Sequence, residues 1–159
     1  SEFVGAQPPA RVEQFFDALV PSEADRLVAA GGEASLRRAL ELDPARMDAK
    51  VALAGLLHRR GHSEEALELL QNVAGDFAGE GLAARIRLEQ DPLPGLDEAF
   101  KALDGGERER AVDLLLEAMP SADGRKDALR RVVVAVLGEL GVDHPFARDA
   151  RRRLAAALY

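Results

Sequence analysis

The 159-residue sequence predicts an all-α fold built from antiparallel helix pairs, about nine or ten helices in total. Three observations lead there. Aromatic residues make up only 4% of the chain, with no Trp and one Tyr, so the core must be filled by Ala, Leu and Val, which suits close-packed helices. Beyond Pro8 the apolar residues recur with helical period, and no segment alternates with period two. Gly-Gly, Asp-Pro and Pro-Gly pairs cut this pattern into lengths suited to helices.

Taken in order, Leu36, Ala39, Leu40 and Leu42 line a helix that stops at Asp43-Pro44. Pro44 can open the next helix, because a first-turn amide has no intrahelical partner to lose. That helix carries Val51, Leu53, Ala54, Leu56 and Leu57 and ends near Gly61. Ser63, followed by Glu64 and Glu65, starts another through Ala66, Leu67, Leu69, Leu70 and Val73, acids being favoured at the positive end of a helix. A short helix is expected around 80–90. A pair at about 95–104 and 107–118 is divided by Gly105-Gly106, and two longer helices near 122–140 and 145–158 follow.

Two of these pairs repeat one another. Gly61, Ala66, Leu70 and Val73 match Gly106, Ala111, Leu115 and Ala118 at common offsets, and upstream Ala54 and Leu57 match Ala99 and Ala102. Small residues where two helices touch, with glycine between them and a large apolar residue on the second, resemble the tetratricopeptide (TPR) pattern. Ala39 to Pro44 looks like the end of a third unit whose first helix is degenerate. The clear units are 45 residues apart, which predicts an insertion near 74–93 and an irregular array.

The C-terminal motifs are more specific. Ser121-Ala122-Asp123-Gly124-Arg125-Lys126, an apolar helix from Val132 to Leu140, and Arg152-Arg153-Leu154 through Leu158-Tyr159 resemble the closing segment of chaperedoxins, thioredoxin-like co-chaperones of the YbbN type. Glu2-Phe3-Val4-Gly5-Ala6 and the amphipathic stretch Arg11 to Leu19 look like the last strand and helix of a thioredoxin fold. The expected division is therefore a thioredoxin remnant over 1–20 and a TPR-like domain over 21–159. Val12, Phe15, Phe16 and Leu19 would share one face, predicted to pack on the helical body or to join two copies through residues 8–20, since a bare apolar patch is costly in water; the alternative is a disordered leader. The resemblance implies a holdase that binds unfolded or partly folded proteins and works with chaperonin-type machinery. The alternatives are the regulatory half of a thioredoxin-type redox enzyme, with its chemistry in an upstream domain, or an adaptor for one dedicated partner.

Charge and composition narrow the partners. The net charge is -7, although residues 121–159 hold eight basic residues against five acids. This balance argues against a nucleic-acid or membrane-surface binder. Without cysteine the chain can form no disulfide, thiol nucleophile or Cys-based zinc site. No apolar run approaches the roughly 18 residues that span a bilayer, so a cytoplasmic protein is the default expectation. No cofactor, metal or catalytic constellation is predicted. His58 and His62 lack a third ligand, Glu64, Glu65 and Glu68 read as a solvated first turn, and Gly31-Gly32 and Gly105-Gly106 read as helix stops rather than phosphate loops.

Two binding regions are expected. The first helix of each TPR unit lines a concave groove, so Val51, His58 and Arg59, with Asp48 and Gly55 on the same helix, would face Leu96, Phe100 and Leu103 there. The competing reading makes Leu96, Phe100 and Leu103 core beside the insertion. On the last helix, Phe146, Ala150, Leu154, Ala157 and Leu158 lie on one side and Arg148, Arg151 and Arg152 on the other. These arginines either favour the helix dipole as a solvated face or, with Leu158 and Tyr159, dock the helix on an acidic or apolar chaperone surface.

Overall fold

The computed structural model describes residues 21–158, and the expectations for residues 1–20 and for Tyr159 lie outside the described residues. Among the described residues, nine α-helices run α1 (Glu23–Ala30), α2 (Glu33–Leu42), α3 (Met47–Arg59), α4 (Ser63–Leu69), α5 (Phe77–Gln90), α6 (Leu96–Asp104), α7 (Arg108–Ala118), α8 (Lys126–Leu140) and α9 (Pro145–Leu158). A 3-10 turn, Met119–Ser121, follows α7. No strand occurs among the described residues, and no helix there is long and apolar enough to cross a membrane.

The repeat alignment holds down to backbone detail. In α3–α4 the amide of Gly61 donates to His58 O and that of His62 to Leu57 O, at 2.9 Å each. In α6–α7 Gly106 donates to Leu103 O at 3.0 Å and Glu107 to Ala102 O at 2.8 Å, the same offsets in the second unit. Both glycines have left-handed backbones, φ 84° and 78°, so the residue type follows from the turn each helix end makes. The small residues Ala54, Ala66, Ala99 and Ala111 are all fully buried, where they let the paired helices approach.

The degenerate first helix of the third unit is present as α1. Its Ser22 cap accepts from the Asp25 amide at 3.1 Å, and the Asp25 carboxylate accepts from the Ser22 amide at 2.8 Å. Hydrogen bonding by the Ser22 side chain and by Arg46 holds the Asp25 carboxyl down to about 2.

The expected insertion is the main correction. In place of a short helix around 80–90 there is a fourteen-residue helix, α5, at the centre of the structure. Ala83 and Ile86 belong to one apolar core with α2, α3 and α4, whereas Ala84 and Leu88 belong to a second core with α6 to α9. A helix used on all sides shows no amphipathic stripe, and α5 is such a helix. It lies closest to α8. A Cβ on Gly81 would fall 2.2 Å from Ala135 Cβ and 3.0 Å from Arg131 O, so only glycine fits without separating the two helices. Gly79 is similarly held against Val73, whose Cβ would lie 2.9 Å from an added methyl.

The last two helices complete the second core. Gly124, with φ 71°, turns the chain into α8, and Arg125 Nη1 donates 2.6 Å to the Asp91 carbonyl after α5. The Ala122-Asp123-Gly124-Arg125 motif thus ties the start of α8 to the α5–α6 connection, with Ala122 fully buried.

Candidate functional site

Four helices, α3, α5, α6 and α8, enclose an open groove of about 990 Å³. From α3 it receives Val51, Gly55, His58 and Arg59, and from α6 Phe100 and Leu103. The repeat pattern in the sequence groups these six residues but not what lies between them. The intervening floor is α5, which contributes Gly81, Leu82, Arg85 and Glu89, and α8 adds Val132 and Val136.

Two expected members are elsewhere. Leu96 is 0% exposed in the second core and does not line the groove, where α6 instead presents Asp97, Phe100, Lys101, Leu103 and Asp104. Asp48 is engaged by Arg46, whose Nε donates at 2.8 Å. Phe100 has a double character: it lines the groove, yet it is only 6% exposed and is counted among the core side chains. For Leu96 and much of Phe100 the core reading is therefore the one that applies.

A polar network crosses the groove floor. His58 Nδ1 lies 3.0 Å from Ser63 Oγ and its Nε2 2.9 Å from Glu89 Oε2. Arg85 donates from Nε to Glu89 Oε1 at 2.7 Å and from Nη2 to Asp104 Oδ1 at 2.8 Å. The Arg85 guanidinium also stacks over the Phe100 ring, 5.3 Å from its centroid. Burial works against the Arg85 charge, but the hydrogen bonds to Glu89 and Asp104 outweigh it and hold its pKa above the ordinary value. The network joins α3, α5 and α6 across the two repeat units.

On α9 the expected faces separate as drawn, with one exception. Ala147, Ala150 and Leu154 are buried, and Phe146, Ala157 and Leu158 pack partly on the second core. Arg148 and Arg152 are exposed. Arg152 donates to Asp149 at 3.0 Å, one turn back on the same helix. Arg151 is half-buried and donates 3.2 Å to the Leu137 carbonyl, closing the last turn of α8, so it belongs to the fold rather than to a docking face. Arg153, next to it, reaches Asp113 of α7 at 2.6 Å.

Sequence reasoning missed Arg85, Glu89, Leu82, Val132 and Val136. The two valines lie on a helix expected to be apolar, but the α5 residues lay in the stretch read as an insertion. A signal for that helix did exist: Asp76 followed by a run to Gln90 without proline, with Asp76 accepting from the Gly79 amide at 2.7 Å as an N-cap.

The geometry defines a class, a scaffold of stacked helix pairs that presents an open groove and a capping C-terminal helix. A family model described as tetratricopeptide repeat matches residues 78–159, from the groove-floor helix α5 to the C-terminus. The match covers more than half of the chain, which belongs to the tetratricopeptide-repeat family. The α3–α4 unit lies outside the matched span, although its glycine turn and buried alanines repeat those of α6–α7. No curated protein matches the chain. Tetratricopeptide repeats generally mediate protein–protein interaction, and no helix among the described residues has the length and apolarity for a membrane span.

Proposed function

We propose that this chain is the non-catalytic, protein-binding part of a thioredoxin-like cytoplasmic co-chaperone, which holds unfolded or partly folded polypeptides in the groove between α3, α5, α6 and α8. The single observation that carries this reading is the groove itself. Apolar side chains from four helices meet a few charged ones in a space open to an extended segment, whose own exposed side chains are apolar. The C-terminal motif and its likeness to chaperedoxins support the co-chaperone part of the reading.

Gly55 offers the clean test. It lies within α3 on the groove wall, and an added Cβ would meet only Arg59 Nη1 at 3.5 Å and Leu82 Cδ2 at 3.7 Å, ordinary contacts. Unlike Gly81, it is therefore not required by packing. Gly55→Ala is expected to raise stability by about 0.5–1 kcal/mol, the helix-propensity difference. Gly55→Phe projects a ring into the groove and is expected to abolish binding of a chemically denatured client, followed by suppression of its aggregation, while circular dichroism stays native. Undiminished suppression by a folded Gly55→Phe variant would rule the groove out as the client site.

A second contact is proposed for α9, whose solvent side carries Arg148 and Arg152 and so suits an acidic surface on a chaperonin-type partner. Arg148→Glu together with Arg152→Glu is expected to weaken binding to purified chaperonin severalfold without moving the thermal midpoint, both side chains being exposed. Equal binding by the double variant would remove α9 from the docking surface.

A further inference from the structure

The groove lining carries four Arg or Lys and four Asp or Glu side chains, and most of them are paired within the protein. On the α3 wall Arg59 is exposed, and its guanidinium forms no ion pair or hydrogen bond among the described residues. Its Nη1 lies against Gly55, 3.5 Å from where a Cβ would stand, so the glycine lets the guanidinium lie along the groove wall. The other cations of the groove are engaged: Arg85 by Glu89 and Asp104, and Arg108 by Glu139 at 2.6 Å. On the α6 wall Asp97 is exposed and forms no ion pair among the described residues. Lys101, one turn along the same wall, is drawn instead toward Glu98, 3.7 Å away.

Resting on the groove reading above, we propose that the segment received there is zwitterionic. Its apolar side chains lie along the half-buried Leu56, Leu82 and Leu103, a carboxylate sits on Arg59, and an ammonium or guanidinium sits on Asp97. A wholly acidic segment would bring a like charge to Asp97, a wholly basic one would bring a like charge to Arg59, and a neutral one would leave both walls unanswered. Charges at an exposed rim select among partners more than they add affinity. The groove thus discriminates by charge arrangement among segments that share the same apolar content.

The test uses the full chain, wild type and with Arg59→Glu or Asp97→Lys, and three fluorescent peptides with identical apolar residues. One peptide carries glutamates in one half and lysines in the other, one carries only glutamates, and one only lysines. Both substituted positions are exposed, and circular dichroism with a thermal melt verifies that each variant is folded. The wild type is expected to bind the mixed peptide roughly threefold to fivefold tighter than either other peptide at low salt, the range for exposed ion pairs. That advantage should vanish near 1 M salt, where the screening length is about 3 Å. Arg59→Glu should shift the preference to the lysine peptide and Asp97→Lys to the glutamate peptide. Equal binding of the three peptides, or an order unchanged by either substitution, overturns the charge arrangement while leaving the groove as a client site. If no peptide binds wild type or variants, both the arrangement and the groove reading fall.

Discussion

Phe100→Ala is expected to destabilise the protein by about 3–5 kcal/mol, the range for removing a large aromatic side chain from a core. The ring is 6% exposed and packs in the second core with residues of α5 to α9. Its upper face carries the Arg85 guanidinium at 5.3 Å, so truncation removes a cation–π contact along with apolar burial. Arg85 would keep Glu89 and Asp104 but lose the surface that orients it between them. Against a typical total stability of about 5–15 kcal/mol, such a loss is a large fraction and should lower the thermal midpoint by roughly 10 °C or more. Urea titration followed by circular dichroism measures it. A loss under about 1 kcal/mol would mean that Phe100 behaves as a groove rim residue rather than as core. The same arithmetic makes Phe100 a poor probe of client binding, since weakened binding would follow from partial unfolding. Gly55 separates the two effects because it changes the groove without emptying the core.

Gly81→Ala should lower stability by about 1–3 kcal/mol, the usual range for forcing an atom into a packed interior. This sign opposes helix propensity, which favours alanine over glycine by about 1 kcal/mol within a helix. Packing wins because the new methyl would stand 2.2 Å from Ala135 Cβ, where carbon atoms prefer about 3.5–4.0 Å. The Arg131 carbonyl, 3.0 Å from the same point, blocks escape by a small rotation, so α5 and α8 must move apart. That movement would loosen both cores at once, since α5 supplies side chains to each. Adding Ala135→Gly should recover part of the loss, and a double-mutant cycle reads the coupling directly. If Gly81→Ala proves as stabilising as Gly55→Ala, the close approach of α5 to α8 is wrong. Two glycines within helices thus carry opposite expectations, decided by what lies within 4 Å of the missing Cβ.

Much of the fold was legible because TPR-like pairs are built from local rules. Gly61 and Gly106 mark left-handed helix ends, and alanines at fixed offsets mark the contacts within each pair. The final helix was readable to its ends: Pro145 opens it, and Ala150 and Leu154 repeat at helical spacing. The same locality failed at α5. Its sequence carries Gly79 and Gly81, which weaken a helix on its own, and its apolar residues fall on several faces. The glycines answer close contacts with Val73, Ala135 and Arg131, and the spread of apolar residues answers burial in two cores, most of it against residues far along the chain.

The groove was half legible for the same reason. Val51, His58, Arg59, Phe100 and Leu103 could be grouped from the repeat alone, since the first helix of each unit faces one way. Leu96 could not be sorted from them, because it shares helical spacing with Phe100 and Leu103 and only its full burial sets it apart. Arg151 looks in sequence like its neighbours Arg148 and Arg152, and only the position of the Leu137 carbonyl distinguishes it.

By itself, then, the sequence determined the helical class, the repeating pairs, their glycine turns and the amphipathic last helix, all consequences of contacts within a few residues along the chain. Only the tertiary structure decided that the stretch between the repeats is the central helix and supplies the groove floor with Arg85 and Glu89. The physical reason is that a helix buried on every side takes its residue pattern from its neighbours' shapes, and those neighbours lie as far along the chain as Ala135.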